Sequence, residues 1–150
     1  AAVAAGTPLG RQAKAVMAAG ALVSDEIVLG MLEERFSQPD VLGGFILDGY
    51  PRNLAQANAL EAMLGRLGQP IDRAVQLDVA ESTLLQRLAG RAKAEGRADD
   101  NPDSVAHRLH VYTEQTAPVI DFYEKHGALV RVPGEGSMEE ILERIIAALD

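Results

Sequence analysis

The sequence predicts an α/β domain with a parallel sheet, because short apolar runs alternate with longer helical patterns. The runs have the length of strands and cover residues 45–47, 74–79 and 129–132. Three strands are few for such a sheet, whose faces and edges must both be covered. We therefore expect further strands to precede Ala1 in the fold.

Start and stop signals delimit each helical pattern. Pro8 and Gly20 mark the two ends of the first pattern, and Ser137 with Glu140 predicts a capping box for the last one. Pro118 interrupts the longest pattern, so we expect that helix to bend. The predicted helices cover residues 7–19, 24–38, 54–67, 81–93, 102–125 and 138–149.

The composition excludes several classes of protein. With 47% hydrophobic residues and no Cys, the chain can bury a core, but it has neither disulfides nor thiolate metal sites, and a reducing cytoplasm is the expected setting. No apolar run approaches membrane-spanning length, and a formal net charge of −8 argues against a general nucleic-acid or anionic-membrane binder. Most of the 14 basic residues are Arg, whose planar fork matches phosphate oxygens, so nucleotide binding is not excluded.

The sharpest local feature is the sequence Leu47-Asp48-Gly49-Tyr50-Pro51-Arg52, at the carboxyl end of the first predicted strand. Ligands of open α/β sheets collect at these ends. Asp48 there can hold Mg²⁺ through water, Gly49 lets the backbone approach a ligand, and Arg52 faces an anion above the sheet. The alternative is an ordinary turn with a surface salt bridge.

A set of four arginines is the second feature: Arg87, Arg91, Arg97 and Arg108. The first two are one helical turn apart and share a helix face. Four neighbouring arginines repel one another unless anions lie between them, and two phosphate-rich ligands would explain their convergence. The alternative is a set of solvated helix faces on which each Arg pairs with Glu or Asp.

The three histidines are interpreted as surface residues. His107 and His110 stand three apart on the long predicted helix, and His126 lies near its end. A metal-binding pair is the alternative, but no Cys and no carboxylate stands at ligand spacing.

Six ordered segments resemble adenylate kinases, the nucleoside monophosphate kinases that transfer a phosphoryl group between ATP and AMP, and the resemblance covers essentially all 150 residues. It implies a P-loop NTPase-like parallel sheet flanked by helices, with the first two strands missing from this chain. The segments are Gly6-Thr7-Pro8-Leu9-Gly10, Gly20-Ala21-Leu22-Val23-Ser24-Asp25-Glu26, Gly44-Phe45-Ile46-Leu47-Asp48-Gly49-Tyr50-Pro51-Arg52, Arg87-Leu88-Ala89-Gly90-Arg91, Arg97-Ala98-Asp99-Asp100 and Thr116-Ala117-Pro118-Val119-Ile120.

The resemblance also implies roles for individual residues. Arg52 would bind the AMP phosphate, Gln56 would meet the adenine edge, and Asp48 would order water around the Mg²⁺ that accompanies ATP. The implied AMP-binding residues are Ala21, Leu22, Val23, Gly49, Arg52, Gln56, Arg97 and Arg108. The implied ATP-binding residues are Arg87, Arg91 and Gly136, and the implied catalytic residues are Asp48, Arg52, Arg91, Arg97 and Arg108.

The resemblance further predicts how the single domain, residues 1–150, is divided. Residues 1 to about 37 would form the AMP-side closing segment, and about residues 92–96 would form a short lid between Arg91 and Arg97. A lid this short resembles the family form without structural zinc. The implied partners are ATP, AMP and ADP, with no nucleic acid and no membrane, and we expect a monomer.

One family feature is absent from these residues, the Gly-rich loop G-x-x-x-x-G-K-[ST]. The backbone N–H groups and Lys of that loop cradle phosphates. We expect the loop and two strands to precede Ala1, and residues 1–150 alone to be inactive. The alternatives are a nucleotide-binding fragment without catalysis and a UMP or CMP kinase, although Gln56 is typical of the AMP-specific branch.

Overall fold

The computed structural model describes residues 2–21, 23–96 and 101–150, except the side chain of Ala2. Within these residues the fold is α/β, as predicted, with eight α-helices and one parallel sheet of two strands. The chain divides into two compact units. The first unit contains Ala1–Pro51 and Ala55–Gln69, and the second contains Arg52–Leu54 and Pro70–Asp150.

The first unit is helical, and its three longest helices follow the predicted boundaries closely. Its elements are α1 (Ala2–Ala5), α2 (Pro8–Ala18), α3 (Asp25–Phe36), a 3₁₀ helix (Pro39–Gly43) and nearly all of α4 (Leu54–Leu67). Short polar side chains begin two of the helices, because each accepts a backbone N–H that has no partner within its helix. Thr7 caps α2 through Gly10 N at 3.0 Å, and Ser24 caps α3 through Ile27 N at 3.4 Å.

The core of the first unit contains one face of α4. Leu60, Met63 and Leu64 are fully buried, and their spacing of three and four residues is that of a helix face. Phe36 is also buried, and its ring meets that of Phe45 edge to face with centroids 4.4 Å apart. Burying each of these side chains contributes about 1.5–3 kcal/mol.

The second unit contains the sheet. Strands β1 (Ala74–Asp78) and β2 (Leu129–Pro133) run parallel, with Ala74 opposite Leu129 and Asp78 opposite Pro133. The remaining helices are α5 (Glu81–Glu95), α6 (Pro102–Val111), α7 (Ala117–Lys125) and α8 (Met138–Leu149). Both strands and three of these four helix starts were predicted to within one residue, whereas α7 was predicted as part of one long helix.

The predicted capping box at the start of α8 is confirmed. Ser137 N donates to Glu140 Oε2 at 2.8 Å, and Glu140 N donates to Ser137 Oγ at 3.2 Å. These two bonds satisfy backbone donors that the first turn of a helix leaves without partners. The box therefore fixes where α8 begins.

The predicted strand at residues 45–47 is wrong. In the structure these residues form no strand, and Ile46 is 92% exposed. An apolar run shows that a segment can be buried, but a strand exists only through hydrogen bonds to a neighbouring strand. Among the described residues, only β1 and β2 pair in this way.

The long predicted helix contains a change of helix type. A π-helical segment, Tyr112–Thr116, lies between α6 and α7. Pro118 lies two residues beyond the end of this segment. It cannot donate a backbone hydrogen bond, and its ring would crowd the carbonyl of Glu114 in an α-helix. The wider π turn accommodates the proline without ending the helix.

Two further observations concern the chain as far as the structure describes it. The family-like segment Arg97-Ala98-Asp99-Asp100 lies outside the described residues. Asn101 caps α6 by accepting Ser104 N at 2.9 Å. Across the described ranges, none of the helices is long and apolar enough to cross a bilayer.

Candidate active site

The turn that follows residue 47 carries two of the predicted site residues. Asp48 and Gly49 are both exposed, and Gly49 has a φ of 75°, which glycine adopts without strain. The next peptide bond, Tyr50–Pro51, is cis. Burial raises the pKa of the Tyr50 hydroxyl, and the negative charge of Asp25 raises it further. The turn therefore offers an exposed carboxylate beside backbone that a ligand can approach.

Gln56 lies in the first turn of α4, where it is half-buried. Its Nε2 donates a hydrogen bond of 2.8 Å to Oδ1 of Asp25, the first residue of α3. The first unit thus brings together the predicted base-binding amide, a carboxylate and the Tyr50 hydroxyl. Asp25 lies at the positive end of the α3 dipole, a favourable position for a negative side chain.

Two predicted site residues, Leu22 and Arg97, lie outside the described residues. The residues on either side of Leu22 in the sequence, Ala21 and Val23, precede the N-cap of α3. Ala21 is exposed and donates its N–H to the carbonyl of Val16 at 3.1 Å, and Val23 is half-buried.

Arg52 begins the part of the second unit that precedes α4. Arg52 is exposed, and its backbone carbonyl accepts a hydrogen bond of 2.7 Å from the hydroxyl of Thr116. Thr116 is the last residue of the π-helical segment, and Arg108 lies two turns earlier on the same continuous helix. The π turn therefore fixes the backbone from which the Arg52 side chain extends.

The helix α5 carries Arg87 and Arg91 one turn apart, as predicted. Arg91 is half-buried. The segment predicted as a short lid, about residues 92–96, continues α5 to Glu95 and ends at its C-cap, Gly96.

The loop of residues 133–137, which joins β2 to α8, is held by side chains from two helices. Arg87 of α5 donates to the carbonyl of Gly134 at 2.8 Å. Arg144 of α8 donates to the carbonyls of Pro133 at 3.0 Å and Glu135 at 2.6 Å. The structure therefore brings Arg87 into contact with the loop that contains Gly136.

The same loop is tied to the start of α5. Gly134 N donates to the carbonyl of Asp78 at 2.8 Å, and Ala80 N donates to Oε1 of Glu135, also at 2.8 Å. The Ala80 N–H lowers the pKa of the Glu135 carboxyl, with further lowering from Thr83 and Arg87. The loop is therefore hydrogen-bonded both to the last residue of β1 and to the residue that precedes α5.

Gly136 cannot be replaced without strain. Its φ is 111°, and a Cβ added there would lie 2.5 Å from Oε2 of Glu140. That oxygen accepts the Ser137 N–H of the capping box. The absence of a side chain at residue 136 therefore leaves room for the Glu140 carboxylate beside the backbone of the loop.

The histidines are exposed, as predicted. His110 lies 3.3 Å from Glu114, and His126 stacks on Phe122 with ring centroids 4.3 Å apart. In the described ranges, no group of three or more His, Cys, Asp or Glu is arranged to hold a metal ion.

Sequence reasoning missed three partners of the predicted site residues. Asp25 was noted only within a family-like segment, yet its carboxylate accepts a hydrogen bond from Gln56, 31 residues away in the sequence. Thr116 was noted within a family segment but given no role, and Arg144 was not considered. No local pattern marks such contacts, because the partners lie 9 to 64 residues apart in the chain.

The comparisons with known proteins agree with this fold. A family model described as "Adenylate kinase" matches residues 1–128. The chain is 67% identical to the adenylate kinase of Xanthomonas euvesicatoria pv. vesicatoria (strain 85-10) and also to that of Xanthomonas axonopodis pv. citri (strain 306), and 63% identical to that of Stenotrophomonas maltophilia (strain K279a). Each match extends over 147 residues, 98% of this chain and 79% of the relative. The chain belongs to the adenylate kinase family.

Proposed function

We propose that this nucleoside monophosphate kinase, a phosphotransferase, converts ATP and AMP to two ADP. An oxygen of the AMP phosphate attacks the γ-phosphorus of ATP, and the bond from that phosphorus to the β,γ-bridging oxygen breaks. One ADP arises from each nucleotide. Such a transfer needs mainly positioning and neutralisation of charge.

The ATP side of the proposal rests on the second unit. The observation that carries it is the 2.8 Å hydrogen bond from Arg87 to the carbonyl of Gly134. This bond joins a predicted ATP-binding side chain to the loop that contains Gly136, whose backbone is also predicted to bind ATP. We assign the adenine of ATP to the Arg87 guanidinium and the backbone of Gly136. Arg91 would neutralise the transferring phosphates.

Arg52 and Arg108 are assigned to the phosphate of AMP, with Arg97 as a third cation. Arginine is suited to this task because its two parallel N–H groups match two phosphate oxygens. The Thr116 contact supports the assignment of Arg52, since it fixes the backbone that carries the side chain. The adenine of AMP is assigned to Gln56 and to the backbone of Gly49 and residues 21–23.

Mg²⁺ is the expected companion of ATP, and Asp48 fits it. The ion prefers oxygen ligands and keeps several of its waters, and Asp48 is an exposed carboxylate at a turn that a ligand can approach. Asp48 would orient those waters without binding the ion directly. When bound, Mg²⁺ supplies positive charge to the transferring phosphates.

The test is the substitution Arg52→Ala. These 150 residues contain no G-x-x-x-x-G-K-[ST] sequence, so the assay uses the loop-extended enzyme, in which a Gly-rich loop segment from a relative is joined ahead of residue 1. The substitution removes a charge-assisted pair that is closed off from water. The resulting decrease in kcat/KM for AMP should correspond to about 2–4 kcal/mol of lost transition-state stabilisation. The affinity for ATP should change little.

Arg66→Ala is the matched control, because Arg66 is an exposed arginine that pairs with Glu33 at 3.5 Å. An equal loss for both nucleotides, or an equal effect in the control, would contradict the role of Arg52. Parallel assays with UMP and CMP test the base. A much faster reaction with UMP than with AMP would overturn the substrate assignment.

A further inference from the structure

The hydrogen bond between Gln56 and Asp25 has a consequence for base recognition. Gln56 Nε2 donates to Asp25 Oδ1 at 2.8 Å, and the two residues lie in the first turns of α4 and α3. An ionised carboxylate can only accept hydrogen bonds, whereas an amide has one accepting end and one donating end. The partner therefore decides which end of the Gln56 amide faces it.

The opposite orientation of the amide is unfavourable. Turning the group over would place Oε1 against a carboxylate oxygen, and two acceptors at hydrogen-bond distance repel each other. Asp25 thus holds the Gln56 nitrogen toward α3. The amide oxygen and the second N–H then point elsewhere in a fixed order.

We propose that Asp25 sets the base selectivity of the monophosphate site by holding the Gln56 amide in one orientation. The proposal rests on the proposed contact between Gln56 and the base of AMP. Asp25 acts through Gln56, so it is a positioning residue and touches no substrate atom.

The order of the two amide groups selects among bases. Adenine presents an amino donor beside a ring-nitrogen acceptor, which matches an amide oxygen beside an N–H. Uracil and guanine present a carbonyl acceptor beside a ring N–H donor, so they match only the reversed amide. Cytosine has the same order as adenine, and Asp25 therefore does not distinguish these two bases.

Asp25 lies where a negative side chain is favoured. Asp25 begins α3, where the helix dipole is positive. The hydroxyl of Tyr50 has a raised pKa, first from burial and then from the charge of Asp25, so it remains protonated and adds no competing negative charge. Glu26 is the other acid in the first turn of α3.

The substitution Asp25→Asn tests the proposal in the loop-extended enzyme. An Asn amide can accept from Gln56 or donate to it, so both orientations of Gln56 become available with little change in shape. We expect the ratio of kcat/KM for AMP to that for UMP, and likewise for GMP, to fall about 2- to 10-fold. The ratio of AMP to CMP and the KM for ATP should stay near the values of the parent enzyme.

Glu26→Gln is the control, because it removes the same charge from the same helix turn. Gln56→Ala and the double variant separate the proposal from its premise. If Gln56→Ala leaves the kinetics of AMP unchanged, the assignment of Gln56 to the base fails. If Gln56→Ala weakens AMP use and the double variant matches it in base selectivity, Asp25 acts through Gln56 as proposed.

Two results would overturn the role of Asp25 while leaving that of Gln56 intact. One is a base selectivity in Asp25→Asn equal to that of Glu26→Gln. The other is an effect of Asp25→Asn that persists in the Gln56→Ala background, since contacts that act through one another are not additive. An equal loss for all four monophosphates is a case of the first result, because it leaves the base selectivity unchanged, and it would show that Asp25 only joins two helices.

Discussion

Gly136→Ala should destabilise the second unit although it adds only one methyl group. Gly136 has a φ of 111°, which L-residues rarely adopt, and the added Cβ would lie 2.5 Å from Glu140 Oε2. Either the backbone of the loop or the Glu140 carboxylate must then move. Movement of the carboxylate breaks the bond from Ser137 N to Glu140 and so weakens the start of α8.

The backbone term alone sets the expected size of the effect. A residue held in a sparsely populated φ/ψ region costs about 1–3 kcal/mol. The loss of the capping contact adds to this cost. For a chain of this length, each kcal/mol lowers Tm by about 2–4 °C.

Urea unfolding of the loop-extended enzyme measures the effect, and Gly90→Ala is the control. Gly90 lies inside α5 of the same unit, and a Cβ there would meet nothing within 4 Å. Since Ala is favoured over Gly inside a helix, the control should stabilise by about 0.5–1 kcal/mol. If both variants shift the unfolding midpoint in the same direction, the strain assigned to Gly136 is refuted.

Three further predictions concern other contacts. Thr116→Val removes the 2.7 Å hydrogen bond to the Arg52 carbonyl, so it should raise the KM for AMP without affecting the KM for ATP. Thr113→Val is the control and should leave both KM values unchanged, because the Thr113 hydroxyl donates to the carbonyl of Leu109 in its own helix. Because folding lowers the pKa of Glu135, the ionised carboxylate stabilises the protein above the ordinary pKa of 4.5, and this stabilisation is lost as the pH falls through the lowered pKa. The difference in unfolding free energy between the parent and Glu135→Gln should therefore shrink below about pH 4.5. A difference that stays constant with pH would disprove this role of Glu135. The 150 residues on their own should form no ADP, because no Gly-rich loop is present among them, and turnover above about 1 s⁻¹ would contradict this.

Local signals account for the parts of the fold that the sequence predicted well. The Ser137 and Glu140 capping box acts within four residues, so a sequence pattern contains all the atoms that make it. The bend predicted at Pro118 stays a prediction, but the structure has a π-helical segment that ends two residues before the proline. The type of the turn was not predictable, since several distortions can accommodate a proline.

Signals that depend on distant neighbours were beyond sequence reasoning. The apolar run at residues 45–47 resembles the run that forms β1, yet only the latter has a hydrogen-bonded neighbour among the described residues. The family resemblance predicted a role for Gln56 but none for Asp25. A resemblance identifies the residues that contact a ligand, but it does not identify the neighbours that orient those residues. The predicted site residues themselves await the substitutions proposed above.

The loop of residues 133–137 also has a thermodynamic consequence for ligand binding. Its carbonyls at Pro133, Gly134 and Glu135 are each occupied by an arginine donor from α5 or α8. A loop ordered in this way before a nucleotide arrives has little conformational entropy left to lose when it binds. Replacing Arg144 with Ala should therefore make ATP binding more enthalpic and entropically less favourable in calorimetry, even where the affinity changes only slightly.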